Sequence, residues 1–200
     1  DTPPSLQTKT YVANALIKSW IAPDRDLIPL RNAAFKLYQE NQNTHFSVHW
    51  CLLGAAYPFW FSVAAVTGRL LNLQYQITQA QIVSRLKEKF GDRQTISRRA
   101  RYVIRSFVSW GALKDSGIKG CYEKADSETV CDANLAILMF ESLLHATPEG
   151  KGALGLLLNN PAFFPFQLPA LTGDFVSQHS DRIDVVRYGL DDELLKLKDK

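Results

Sequence analysis

The chain reads as a mainly α protein with a helical lobe at its N-terminus, two amphipathic helices and a small β-hairpin at its centre, and a mixed α/β segment at its C-terminus. Three observations carry this reading. Apolar residues recur at three- and four-residue spacing through most of the first 146 residues. Glycines and short polar runs punctuate residues 111–123 at the spacing of a tight hairpin. Beyond residue 150, Pro161, Pro165 and Pro169 interrupt an apolar stretch rich in Phe163, Phe164 and Phe166, which excludes a long helix there. Two hundred residues at 46% hydrophobic and 22% charged can bury a substantial core, so disorder is not indicated.

Residues 9–20 and 29–41 have the pattern of short amphipathic helices, separated by Ala22-Pro23-Asp24-Arg25-Asp26. They define an N-terminal helical lobe over 1–45. From Trp50 through Gly68 there are nineteen residues without a charge, long enough for a short membrane span. Pro58 near the centre of this stretch, diluted by Gly54, Ser62 and Thr67, argues instead for two buried helices meeting at a proline. Arg69, Leu70, Leu71 and Leu73 continue the second helix. The start, Asp1-Thr2-Pro3-Pro4, is polar and carries no Lys or Arg, so no signal peptide is expected. Three cysteines, Cys51, Cys121 and Cys131, lack CxxC spacing and fit a reducing cytosol, although a Cys121 to Cys131 bridge stays open. The expected location is cytoplasmic.

Thr78 is the N-cap expected for a helix to about Phe90, in which Ile82, Val83, Leu86 and Phe90 face inward and Gly91 supplies the stop. After Gly91-Asp92-Arg93-Gln94, Thr95 or Ser97 caps a second helix with Ile96, Ala100, Val103, Ile104, Phe107, Val108 and Trp110 on its inner side. Its outer side carries Ser97, Arg98, Arg101, Tyr102 and Arg105. Residues 98, 101 and 105 stand at i, i+3 and i+7, so three guanidinium groups share one stripe, with Arg99 at its margin. Like charges so arranged repel one another and call for an anion. Gly111-Ala112-Leu113 then begins an extended segment, Asp115-Ser116-Gly117 turns it, and Lys119 to Glu123 is the return strand.

Past this unit, which spans 46–125 with its leading helical hairpin, the segment 126–200 carries one strong helix capped by Asp132 and leaving at Thr147-Pro148-Glu149-Gly150. A short helix near Leu171–Gln178 and a strand at Ile183–Tyr188 close the chain. There is no repeat and no low-complexity linker.

Catalytic chemistry is not indicated, and no cofactor or metal is expected. His45 and His49 are i, i+4 on a helix, but without a third ligand nearby they read as a packed or hydrogen-bonded pair. His145 and His179 read as helix-end residues. Asp181, Asp184, Asp191, Asp192 and Glu193 read as a solvated acidic tail in preference to a magnesium site. No P-loop, dinucleotide-binding glycine pattern, nucleophile elbow or zinc-finger spacing is present.

Charge is distributed unevenly. Residues 69–119 hold eleven Lys or Arg against three acids, a net +8, whereas the last 81 residues hold seven against thirteen, a net −6. A basic central module beside an acidic flank is the electrostatic footprint of a phosphate-backbone binder.

Helix, helix, hairpin is the winged-helix order. The run Thr95-Ile96-Ser97-Arg98-Arg99-Ala100-Arg101 through Phe107-Val108-Ser109-Trp110-Gly111-Ala112-Leu113 resembles the recognition helix and first wing strand of winged helix-turn-helix regulators. Leu52-Leu53-Gly54-Ala55-Ala56-Tyr57-Pro58-Phe59-Trp60-Phe61 together with Ser97 to Leu113 is, in addition, similar to BrxA proteins of bacterial BREX phage-exclusion systems. The Pro-Asp-Arg-Asp loop of the N-terminal segment departs from that pattern. These resemblances imply a central winged helix with a small β-hairpin that binds double-stranded DNA, as a non-enzymatic accessory or regulatory factor, in company with other defence proteins. Ser97, Arg98, Arg101, Tyr102 and Arg105 would then meet the major groove, with Arg99 beside them. Arg85, Lys89, Arg93, Lys114 and Lys119 would contact phosphates. The rival reading is a protein-interaction or scaffold subunit of a larger complex, in which the winged helix uses its inner or wing surface to hold a partner and Phe163-Phe164-Pro165-Phe166 is the docking patch.

Overall fold

A computed structural model describes residues 6–188 and 192–198. The Asp1–Pro4 start and Asp191 lie outside them. The chain is mainly helical, with small sheets of two or three strands.

Helices α1 (Leu6–Leu16) and α2 (Ile28–Glu40) come first. α1 continues into one wide π-helical turn, Ile17–Ile21. Helices α3 (His45–Ala56) and α4 (Pro58–Leu73) carry the uncharged stretch, bent by 119° where Pro58 opens α4. A proline at the first helical turn has no amide to lose, so the break starts a helix and costs no hydrogen bond. No single helix among the described residues is long and apolar enough to cross a membrane. The apolar faces of the pair are buried inside the protein, and Gly54 lets them approach: a β-carbon there would lie 2.3 Å from the Phe61 ring.

Strand β1 (Gln76–Thr78) leads directly into α5 (Gln79–Phe90). Thr78 caps α5 as expected, and the cap is reciprocal: the Gln81 amide donates to Thr78 Oγ1 at 3.1 Å while Gln81 Oε1 accepts from the Thr78 amide at 2.7 Å. α6 (Gln94–Ser109) starts earlier than Thr95 or Ser97. Its N-cap is Arg93, which makes no side-chain capping bond, so the extended backbone after Gly91 sets this start and no hydroxyl does. Strands β2 (Leu113–Asp115) and β3 (Cys121–Lys124) form the hairpin, and its turn carries Gly117 and Gly120 at φ of +84° and +78°. β1 completes an antiparallel sheet in the order β1-β3-β2. Residues 58–124 thus run helix, strand, helix, helix, hairpin.

The C-terminal segment contains more strand than its sequence suggests. β4 (Glu128–Thr129) pairs in parallel with β6 (Phe166–Gln167), on either side of α7 (Ala133–Ala146). β5 (Lys151–Ala153) precedes the short α8 (Leu154–Leu158). After α9 (Gly173–His179), β7 (Ile183–Tyr188) is followed by a second strand, β8 (Asp192–Leu197), giving a sheet ordered β5-β8-β7. Three of the acidic residues read as a tail, Asp184, Asp192 and Glu193, are therefore sheet residues: Asp184 pairs with Lys198, and Glu193 with Arg187 and with the Gly173 amide. The Arg182 guanidinium grips Glu141 of α7 through two bonds of 2.7 and 2.8 Å.

One continuous apolar core runs from Leu27 to Leu195. Trp50 sits at its centre, with Trp60, Phe107, Phe164 and Phe166 against its ring. This overturns the docking patch, since Phe163, Phe164, Pro165 and Phe166 are all buried. Their aromatic side chains are what the central helices pack on.

Candidate nucleic-acid interface

The amphipathic pattern of α6 settles which residues face out. Ala100, Ile104 and Phe107 have no exposed surface, and this inward face turns Arg98, Arg101, Tyr102 and Arg105 to solvent, with Arg99 exposed at the margin and Ser97 half-buried. β2 and β3 stand at the C-terminal end of α6, and Arg105 reaches them: its guanidinium lies 3.8 Å from Asp115 on β2. The Tyr122 hydroxyl is held above the usual phenol range, first by burial and then by Asp115, with Arg105 opposing both.

The eleven residues singled out from the sequence differ in what they meet. The side chains of Arg93, Arg98, Arg99, Arg101 and Lys119 are exposed and make no hydrogen bond or ion pair with any described residue, and Ser97 is likewise unpartnered. Arg85, Arg105 and Lys114 are exposed but paired with Glu88, Asp115 and Asp126. Exposed pairs of this kind contribute only ~0–1 kcal/mol, so a phosphate can replace the carboxylate. Lys89 extends over the Phe90 ring at 5.1 Å. Tyr102 belongs with none of these, because Tyr11 of α1 stacks on it with ring centroids 5.2 Å apart.

The β1 edge of the sheet is tied by Glu123 of β3, which accepts from Gln76 Nε2 at 2.7 Å and from the Tyr75 hydroxyl at 3.1 Å. These bonds hold β1 against β3 and so fix the hairpin's angle to α5 and α6. Neither tie has a signal in the sequence, since β1 is three residues long. Tyr11 has none either, being ninety-one positions from Tyr102.

Both histidines are packed, and His49 is hydrogen-bonded. His45 stacks on Tyr38 at 3.8 Å, and His49 Nδ1 accepts the Trp20 indole N–H at 3.1 Å while its ring meets Trp110 edge-on. Burial holds the His49 imidazole below its usual pKa. Burial pushes the Cys51 thiol up to about 12, which leaves it protonated and inert at neutral pH. His179 Nδ1 lies 2.9 Å from the Phe175 carbonyl at the end of α9. Among the described residues no three His, Cys, Asp or Glu side chains come together as a metal site.

No family model, curated protein or solved structure matches this chain.

Proposed function

We propose that the chain is a double-stranded DNA-binding protein in which residues 58–124 are a winged helix, α6 is its recognition helix and the β2–β3 hairpin its wing. The observation that carries this reading is the unpartnered guanidinium stripe of Arg98, Arg99 and Arg101 on the outer face of a helix whose inner face is fully packed. Three uncompensated cations on a rigid element repel one another and gain from an anion. The strand order β1-β3-β2 beside α6 supports the same reading, because it presents Lys114 and Lys119 on the hairpin that flanks the helix.

In this account Arg98 and Arg101 enter the major groove, where a guanidinium can bond bidentately to guanine. Arg85, Lys89, Arg93, Arg99, Lys114 and Lys119 neutralise phosphates on either side. The protein acts as an accessory or regulatory factor without catalytic chemistry, in the cytoplasm, and the BrxA-like texture of residues 46–125 makes phage defence the setting we favour. The rival protein-interaction reading loses its docking patch, since the phenylalanines that would form it are interior.

Anisotropy titrations of Arg101→Ala and Lys119→Ala against a panel of duplexes test the assignment. Arg101→Ala should weaken the tightest sequences by roughly 10-fold or more and flatten the differences between sequences, at ~1–3 kcal/mol per bidentate pair. Lys119→Ala should weaken all of them about equally. Equal losses from both variants at every sequence would show backbone contacts alone and remove the recognition role of α6.

A further inference from the structure

Helix α1 touches the proposed recognition helix through an aromatic stack. Tyr11 stacks on Tyr102 with the ring planes at 27°, the Tyr57 hydroxyl donates to the Asn14 carbonyl at 3.3 Å, and the Lys18 ammonium lies 5.4 Å over the Tyr57 ring. From Lys9 to Leu16 most side chains of the helix are exposed, Tyr11 at 49% and Val12 at 55%, while Ala15 packs against the core. The base of the helix is held far more firmly. At the far end of the π-helical turn, Trp20 is fixed twice, its indole N–H donating to His49 and its carbonyl accepting from Arg31 Nη1 at 2.7 Å. Ser19 beside it is buried. An arm of eleven residues therefore runs into an irregular turn whose far half, Ser19 and Trp20, is the anchored base. Such a turn is where a helix bends most readily.

We infer that α1 is a displaceable cover on the recognition helix, closed in this structure and swung away when the protein takes up DNA; the inference rests on the DNA-binding reading of α6. The geometry requires a movement. The major groove is about 12 Å wide and one α-helix with its side chains is about 10–12 Å across, so the groove admits α6 but leaves no room for a further side chain stacked over Tyr102. Tyr102 stands near the middle of α6, between Arg101 and Arg105, and Tyr11 occupies its ring face on the side the groove wall would take. Closure and DNA then compete for one surface. By linkage, each lowers the apparent affinity of the other by the same factor.

Two measurements on the full chain test this together. The first is the affinity of wild type and Tyr11→Ala for duplex DNA by anisotropy. Losing one partly exposed aromatic stack should shift the arm toward open and tighten binding by about 3- to 10-fold. The second is amide hydrogen exchange with and without saturating duplex: the α1 amides should exchange faster on binding while those of α6 slow. Unchanged or weaker binding by Tyr11→Ala, or slower exchange in α1 when wild type binds, overturns the cover and leaves the DNA reading standing. If neither protein binds duplex DNA at low salt, the DNA reading fails and the cover with it.

Discussion

Replacing Arg182 with Met isolates the ion pair that joins the C-terminal sheet to the helical core. Glu141 is 1% exposed on α7, and both of its carboxylate oxygens accept from the Arg182 guanidinium, one residue before β7 begins. Removing the guanidinium strands a charge in the interior, which costs about 3–5 kcal/mol. At roughly 2–4 °C per kcal/mol for a chain of this size, the melting temperature should fall by roughly 6–20 °C. Urea unfolding of wild type, Arg182→Met, Glu141→Leu and the double variant is the assay, with unchanged m-values required for comparison. The double variant should recover most of the loss, because an apolar pair can replace a buried ion pair at little cost. An Arg182→Met variant within about 1 kcal/mol of wild type, or a double variant worse than both singles, would refute the reasoning.

Two further outcomes are expected. Gly68→Ala would place a β-carbon 1.9 Å from the Pro161 carbonyl oxygen, a backbone atom that cannot swing aside, so α4 must part from the 161–163 turn; a loss of about 1–3 kcal/mol or more is expected in the same urea assay, and a neutral variant would contradict the packing. His49 gives a pH signature. Its folded pKa lies below the usual ~6.5, so the folded state binds fewer protons than the unfolded one; the stability it contributes is complete above about pH 6.5 and is lost as pH falls toward the folded value. Glu128, held above the usual carboxylate range by burial, has the opposite sense: its contribution is present at acid pH and lost as pH rises through its folded pKa. Comparing wild type with His49→Gln at pH 7.5 and pH 5 cancels the Glu128 term, and the advantage of wild type should shrink at the lower pH. An advantage that stays constant would mean that His49 does not titrate in this range.

What the sequence made legible was local. The caps at Thr78 and Asp132, the break at Pro58 and the inward faces of α5, α6 and α7 follow from spacing and capping chemistry that a few neighbouring residues contain. β1 and the β4–β6 pair were not legible because two or three residues carry no period; they are strands through partners 38 to 47 positions away. β8 was hidden by its acidic start, which reads as solvated until Arg187 and the Gly173 amide are seen to meet Glu193. The burial of Phe163, Phe164 and Phe166 likewise depends on Trp50 and Phe61, which no local pattern links to them. The candidate site divides in the same way. The arginine stripe of α6 follows from helical geometry alone, whereas the pairing of Arg105 with Asp115 and the stacking of Tyr11 on Tyr102 belong to tertiary structure.

The salt dependence of duplex-DNA affinity, measured for wild type beside the Arg98→Ala/Arg101→Ala double variant between about 50 and 200 mM salt, tests the central claim most directly. With about six phosphates neutralised, log K should fall against log salt with a slope of roughly −5, and the double variant should bind markedly more weakly throughout. Absence of binding at the lowest salt, or a shallow slope that the double variant leaves unchanged, would contradict the account.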